Sequence, residues 1–242
     1  MRWKPHSKLA GLSLAVGLLL LLPAPVCRAD LVPISFPPNG PLISGINGSL
    51  TYKATTEVFH IDALPLTYAP APAAGGFATF AGTAITIDLK VDSTGAFISN
   101  GAGLTVTGSL DLDGDGTADA TGTLLTGQIT NFGADPAGPP TRAFDGLFTI
   151  EGGLLTTNIP LSGGGMLFGG FTVGQKGGFI LNAENVTKGN LGDFSSDFAS
   201  SQTKVKIGPA VPVPEPAAGT LALIGALGLG AASLCRRGRR PS

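Results

Sequence analysis

Two stretches alternate apolar and polar residues with a period of two. Ile85, Ile87, Leu89 and Val91 stand against Thr86, Asp88 and Lys90; Leu104, Val106, Leu110 and Leu112 stand against Thr105, Thr107, Ser109 and Asp111. Such alternation puts one face of a strand on a core and the other in water. Further β-type runs occur at 50–52, 58–61, 124–132, 144–150, 154–159, 166–173 and 179–181. Asn47-Gly48, Gly75-Gly76, Asn100-Gly101, Gly152-Gly153, Gly163–Gly165 and Gly177-Gly178 punctuate them as turns. No stretch of the body shows a helical period. The expectation is an all-β fold, an antiparallel β-sandwich or barrel, over residues 30–210. A solenoid, suggested by the Gly, Ser and Thr content, would require a fixed repeat that the chain lacks. Two Pro/Ala/Gly-rich stretches, 68–76 and 135–140, read as long loops inside one domain, because 30–67 alone is too short for a core.

The ends are different in kind. Arg2, Lys4 and Lys8 precede an apolar run from Leu9 to Leu22, followed by Cys27-Arg28-Ala29. This is the layout of a secretory signal over 1–29, with signal peptidase cutting after Ala29. At the other end Pro212, Pro214 and Pro216 stiffen a linker, 211–216, ahead of an uncharged run from Ala217 to Cys235. A run of that length spans a bilayer as a helix, and Arg236, Arg237, Arg239 and Arg240 in the tail, 236–242, stop it on the cytoplasmic side.

Charge and residue usage narrow the chemistry of the body. Between residues 30 and 216 there are seven basic side chains against sixteen acidic ones, a net of −9, which argues against nucleic acid as a partner. Both cysteines, Cys27 and Cys235, the only tryptophan, Trp3, and one of two histidines, His6, lie in the terminal segments. The body therefore has no cysteine nucleophile, disulfide or Cys/His zinc site. Its one histidine, His60, alternates with Phe59 and Ile61 and belongs on the wet face. Glu57, Asp145, Glu151 and Glu184 are available as carboxylates, but no spacing marks two of them as a glycosidase pair. The run Gly163–Gly170 lacks the lysine and following helix of a phosphate loop. No enzymatic activity is expected.

The densest cluster is Asp111-Leu112-Asp113-Gly114-Asp115-Gly116-Thr117-Ala118-Asp119. Alternate aspartates in a loop converge on a hard cation, and calcium takes six to eight oxygens. In that reading Asp111, Asp113, Asp115 and Asp119 supply carboxylates, the Thr117 carbonyl a further oxygen, and water the rest. Gly122 stands where an EF-hand has its bidentate glutamate, so the loop is closer to the short calcium loops of extracellular β proteins. The alternative is a solvated hairpin tip, since Asp-Gly is a strong turn signal.

The order Pro214-Glu215-Pro216, apolar run, terminal arginines resembles the PEP-CTERM sorting signal of Gram-negative bacteria. Gly122-Thr123-Leu124-Leu125-Thr126-Gly127, Thr130-Asn131-Phe132-Gly133, Gly152-Gly153-Leu154-Leu155 and Gly177-Gly178-Phe179-Ile180-Leu181 add a resemblance to secreted proteins carrying that signal. The resemblance implies transient residence in the inner membrane, an exosortase-type transpeptidase acting near Pro214–Pro216, and release or attachment at the cell surface. It further implies a β-rich envelope, biofilm or extracellular-matrix protein associated with exopolysaccharide. The competing reading is a calcium-dependent carbohydrate-binding module.

Overall fold

The computed structural model describes residues 31–70, 78–98, 103–135 and 142–212. Ala29, the motif Pro214-Glu215-Pro216, the run 217–235 and the arginines at 236, 237, 239 and 240 lie outside them, as do most of the two Pro/Ala/Gly-rich stretches. Among the described residues no helix is long and apolar enough to cross a membrane.

The strands are β1 (Ile34–Ser35), β2 (Leu42–Lys53), β3 (Val58–Ala69), β4 (Ala78–Lys90), β5 (Gly103–Asp111), β6 (Ala120–Ala134), β7 (Arg142–Gly152), β8 (Asn158–Pro160), β9 (Met166–Phe168), β10 (Lys176–Lys188), β11 (Phe198–Pro209) and β12 (Val211–Pro212). Eight of them close into an antiparallel barrel in the order β10-β11-β2-β3-β4-β5-β6-β7. Of the two expected architectures, the barrel is the one formed. Closure comes from β11 on β2, with Val205 opposite Gly45 and Ile207 opposite Ile43. A closed up-and-down barrel leaves no open sheet edge. β8 and β9 form a separate hairpin between β7 and β10, and β1 pairs with β12.

The period-two segments fall where the alternation puts them. Ile85, Ile87, Leu89, Leu104, Val106 and Leu110 fill the lumen, each 1% exposed or less. Thr121, Thr123, Gln128, Thr130, Gln202, Lys204 and Lys206 face outward and are exposed. These faces of β6 and β11 are polar, whereas the outward face of β3 exposes Leu64 and Leu66. Bulges coil the sheet enough to close it. Between the Val106–Leu125 and Thr107–Thr123 pairs β6 gains Leu124, so Leu124 and Leu125 are both fully buried. Phe148 occupies the space left by two glycines: a Cβ on Gly127 or on Gly177 would lie 2.3 Å from its ring.

Both mouths are closed by side chains. The hairpins joining β2 to β3, β4 to β5, β6 to β7 and β10 to β11 gather at one end. There Tyr52, Phe59, Phe132, Phe144, Phe194 and Phe198 make ring contacts with centroids 4.9–6.4 Å apart. The Tyr52 hydroxyl donates to the Val91 carbonyl at 3.0 Å. At the other end the connection from β7 to β10 folds in, burying Leu155, Ile159 and Phe171 to 2% exposure or less. The buried Tyr68 hydroxyl fastens it by donating to the Gly169 carbonyl.

Three segments depart from the periodicity. The expected strand at 154–159 is a 3-10 turn, Leu154–Thr156, followed by the short β8. The one expected at 166–173 stops at Phe168, because the chain leaves the hairpin there to turn Phe171 into the core. β11 carries no clear apolar alternation, because two of its inward positions are Ser200 and Thr203, 2% and 1% exposed.

Candidate metal site

Residues 112–119 join β5 to β6 at the end closed by the β7–β10 connection. The loop is a nest of carboxylate-to-backbone bonds. Asp111 Oδ1 accepts from the Gly114 N–H at 2.7 Å, and its Oδ2 from the Gly116 N–H at 2.9 Å. Asp115 Oδ1 accepts from the Thr117 N–H at 2.7 Å. Gly114 and Gly116 sit at φ of 78° and 87°, left-handed conformations that glycine adopts without a Cβ clash and that let the loop coil on its own aspartates.

One oxygen from each of Asp111, Asp113 and Asp115 lies within 4.8 Å of the others. Two oxygens bound to one calcium at about 2.3–2.6 Å are at most about 5 Å apart, so the spacing and the hard-oxygen donor set fit such an ion. Asp119 has another task. Its Oδ2 accepts from the Leu112 N–H and its Oδ1 from the Ser162 N–H, both at 2.7 Å. Desolvation, which pulls its carboxyl upward, is outweighed by these two donors, and Asp119 titrates below its ordinary value. Thr117 reaches the cluster through the N–H it gives to Asp115.

Ser162 was not legible as a partner of this loop. It lies in the turn between β8 and β9, 43 to 49 residues from the aspartates it touches. Its hydroxyl lies 2.6 Å from Asp115 Oδ2 and 3.3 Å from Asp113 Oδ2, and the Gly163 N–H donates to Asp113 Oδ2 at 3.1 Å. The Ser162 hydroxyl, with the Thr117 N–H after it, holds the Asp115 carboxyl below its ordinary range. The acidic loop is therefore clamped onto the hairpin that helps to cover the barrel mouth, and a cation bound by the three aspartates would stiffen both.

The chain matches no protein-family model, no curated protein and no solved structure. What its other polar clusters do must be read from geometry. His60 faces outward, as expected, but it is not free: its Nδ1 lies 2.5 Å from Asp88 Oδ1 and its Nε2 lies 2.7 Å from Asp62 Oδ2. Asp62 is two residues along β3, and Asp88 is the cross-strand partner of His60 on β4. Partial burial pulls the imidazole down; the two carboxylates outweigh it and raise its pKa. With both nitrogens engaged by carboxylates, the ring acts as a cross-strand brace.

Proposed function

We propose that this protein is a non-enzymatic structural component of the cell envelope or extracellular matrix, exported behind a cleaved signal and sorted by a PEP-CTERM tail. The observation that carries this reading is the barrel itself: its lumen is filled and both mouths are closed by its own side chains, leaving a packed body whose β6 and β11 faces are polar. Its histidine braces two strands, which supports a structural role over a catalytic one. Exopolysaccharide is the partner assigned to the hydroxyl-rich outer wall. Calcium is assigned to Asp111, Asp113 and Asp115, in a loop that would fill on reaching a calcium-rich exterior. The acidic triad also favours a second reading, a calcium-dependent carbohydrate-binding module. Against that reading, Tyr52 and Tyr68, the only tyrosines, are 1% exposed or less and offer no face for a sugar to stack on.

Intact mass of the surface or secreted form tests the export route. The mature chain is expected to begin at Asp30 and end near Pro216, and Glu215→Ala to leave full-length protein in the inner membrane. Retention of Arg236–Arg240 in the final product would reduce the tail to an ordinary anchor. A glycan array separates the two readings: discrete calcium-dependent recognition of one sugar favours the module, and broad retention on the producing cell's own polymer favours the matrix protein.

A further inference from the structure

Residues 31–36 cross the outside of the barrel as a strap over three neighbouring strands. The Val32 N–H donates to Asp145 Oδ1 on β7 at 2.8 Å. Two residues on, Ile34 lies against Gly178 of β10, where a Cβ would meet its Cγ2 at 2.9 Å. Two residues further, Phe36 lies against Gly208 of β11, where a Cβ would meet its Cδ1 at 3.2 Å. Gly178 and Gly208 are cross-strand partners, so they form one saddle for two side chains that the period of an extended chain puts on the same side. β1 also pairs with β12 in a two-stranded ribbon, Ile34 opposite Pro212 and Ser35 opposite Val211.

The strap covers a carboxyl that has little else to hold it. Asp145 is 6% exposed, and its cross-strand partners are Ile180 on β10 and Gly133 on β6. Residues 31–36 contain no ionisable side chain, and neither do Val211 and Pro212 of β12. On β10 the outward charged residues are Lys176, whose Nζ donates to Thr149 Oγ1 at 3.0 Å, and Glu184, which accepts from Lys204 Nζ at 2.9 Å. Asp135 follows the end of β6. Among the described residues none of these charges sets the titration of Asp145; burial and the Val32 N–H do. A buried carboxylate with a single donor is poorly compensated for the water it has lost.

We propose that the strap is pH-gated: it stays seated while Asp145 holds its proton and loosens as that carboxyl ionises beneath it. A protonated carboxyl is neutral and still accepts the Val32 N–H at its carbonyl oxygen, so seating carries no charge penalty. An ionised one is better hydrated with the strap lifted. Lifting breaks the Val32 bond, the two-residue β1–β12 pairing and the contacts of Ile34 and Phe36 on the saddle. The ring of eight strands includes no part of the strap and stays closed. Such a local opening costs less than unfolding the barrel. The seated carboxyl titrates at about 6 rather than 3.8, so seating is fully supported below about pH 4 and loses that support as pH rises through about 6. The gate depends neither on the export route nor on calcium.

Amide hydrogen exchange on the full chain in detergent micelles tests the gate, with each rate divided by its unstructured rate at the same pH. Val32 protection is expected to fall about a hundredfold from pH 4 to pH 8, while the amides of β4 and β5 stay far more protected. Asp145→Asn keeps an acceptor for Val32 without the charge and should hold Val32 protection level across that range. Ile34→Ala should lower Val32 protection at every pH and leave its pH slope, since it removes packing on the saddle and not the charge. Equal Val32 protection at the two pH values in the wild type overturns the proposal, and so does a wild-type slope that persists in Asp145→Asn. A Val32 amide protected no less than those of β4 and β5 also overturns it, because the strap then opens only with the barrel.

Discussion

Asp145 is the least ordinary residue of the barrel. Strand alternation with Phe144 turns it outward, yet it is only 6% exposed, because the segment bearing Val32 roofs it. Burial pushes its carboxyl up to about 6, against the pull of the Val32 N–H. A carboxyl with a folded pKa above its unfolded one stabilises the fold below about pH 4 and loses that contribution as pH rises through about 6. At neutral pH the buried charge costs on the order of 3 kcal/mol. Asp145→Asn keeps an acceptor for Val32 and removes the charge. Its urea midpoint should exceed that of the wild type at pH 8 by an amount that vanishes at pH 4; equal midpoints at both pH values would contradict the assignment. His60 has the same sign: its raised pKa makes the two-carboxylate brace strongest below about 6.5 and weakest in alkali. Thr203, unlike these two, is turned into the lumen, its hydroxyl unpartnered among the described residues. Asp62 stands two residues from His60, a spacing visible in the sequence. Asp88 and Val32 reach their partners only through cross-strand pairing and chain return.

At the scale of the element, the acidic loop follows directly from its residue order. Aspartates at alternate positions with intervening glycines coil until their carboxylates converge, and three of the five expected ligand residues do so. Asp119 departs because the fold offers it two backbone donors, one from a hairpin distant in sequence. With no bidentate glutamate, calcium affinity should lie in the range of roughly 10⁻⁴–10⁻³ M typical of extracellular modules. Calcium at tenfold above Kd adds about 1.4 kcal/mol of stability, a rise of a few degrees in Tm. Magnesium should do less, given its stricter octahedral demand. Asp113→Ala with Asp115→Ala should abolish the rise. Ser162→Ala should preserve calorimetric calcium binding while slightly lowering the Tm of the calcium-free protein, since it removes the hydroxyl contacts of the clamp but keeps its two backbone N–H bonds and every carboxylate. No calcium heat and an unchanged melt at 10 mM, about ten times the weak end of that range, would leave the loop an acidic turn.

For the whole molecule, closure is the governing fact. Eight strands enclose a lumen just wide enough for side chains to fill, and here Phe148 fills it because Gly127 and Gly177 stand back on the neighbouring strands. The β7–β10 connection completes the seal, with Phe171 as its fully buried plug. Phe171→Ala should cost about 3–5 kcal/mol, as large-to-small core changes do. Chemical denaturation would measure it, and dye binding at the opened mouth should rise. A loss below 1 kcal/mol would mean that the connection merely covers a barrel already sealed.

Local patterning by itself determined the all-β class, the inward set on β4 and β5, the outward face of His60 and the convergence of Asp111, Asp113 and Asp115. Each depends on a residue's near neighbours: a period of two, or carboxylates spaced along one turn. It also marks the two apolar ends, whose uncharged runs are visible in composition alone. Tertiary structure decided the rest. β11, with Ser200 and Thr203 inside, is a strand because β2 and β10 leave backbone partners that only a strand can satisfy. Barrel rather than sandwich was settled by the pairing of β11 with β2, a contact between opposite ends of the chain. The burial of Asp145, the clamp of Ser162 and the β1–β12 ribbon likewise join residues far apart in sequence, whose meeting depends on closure of the sheet.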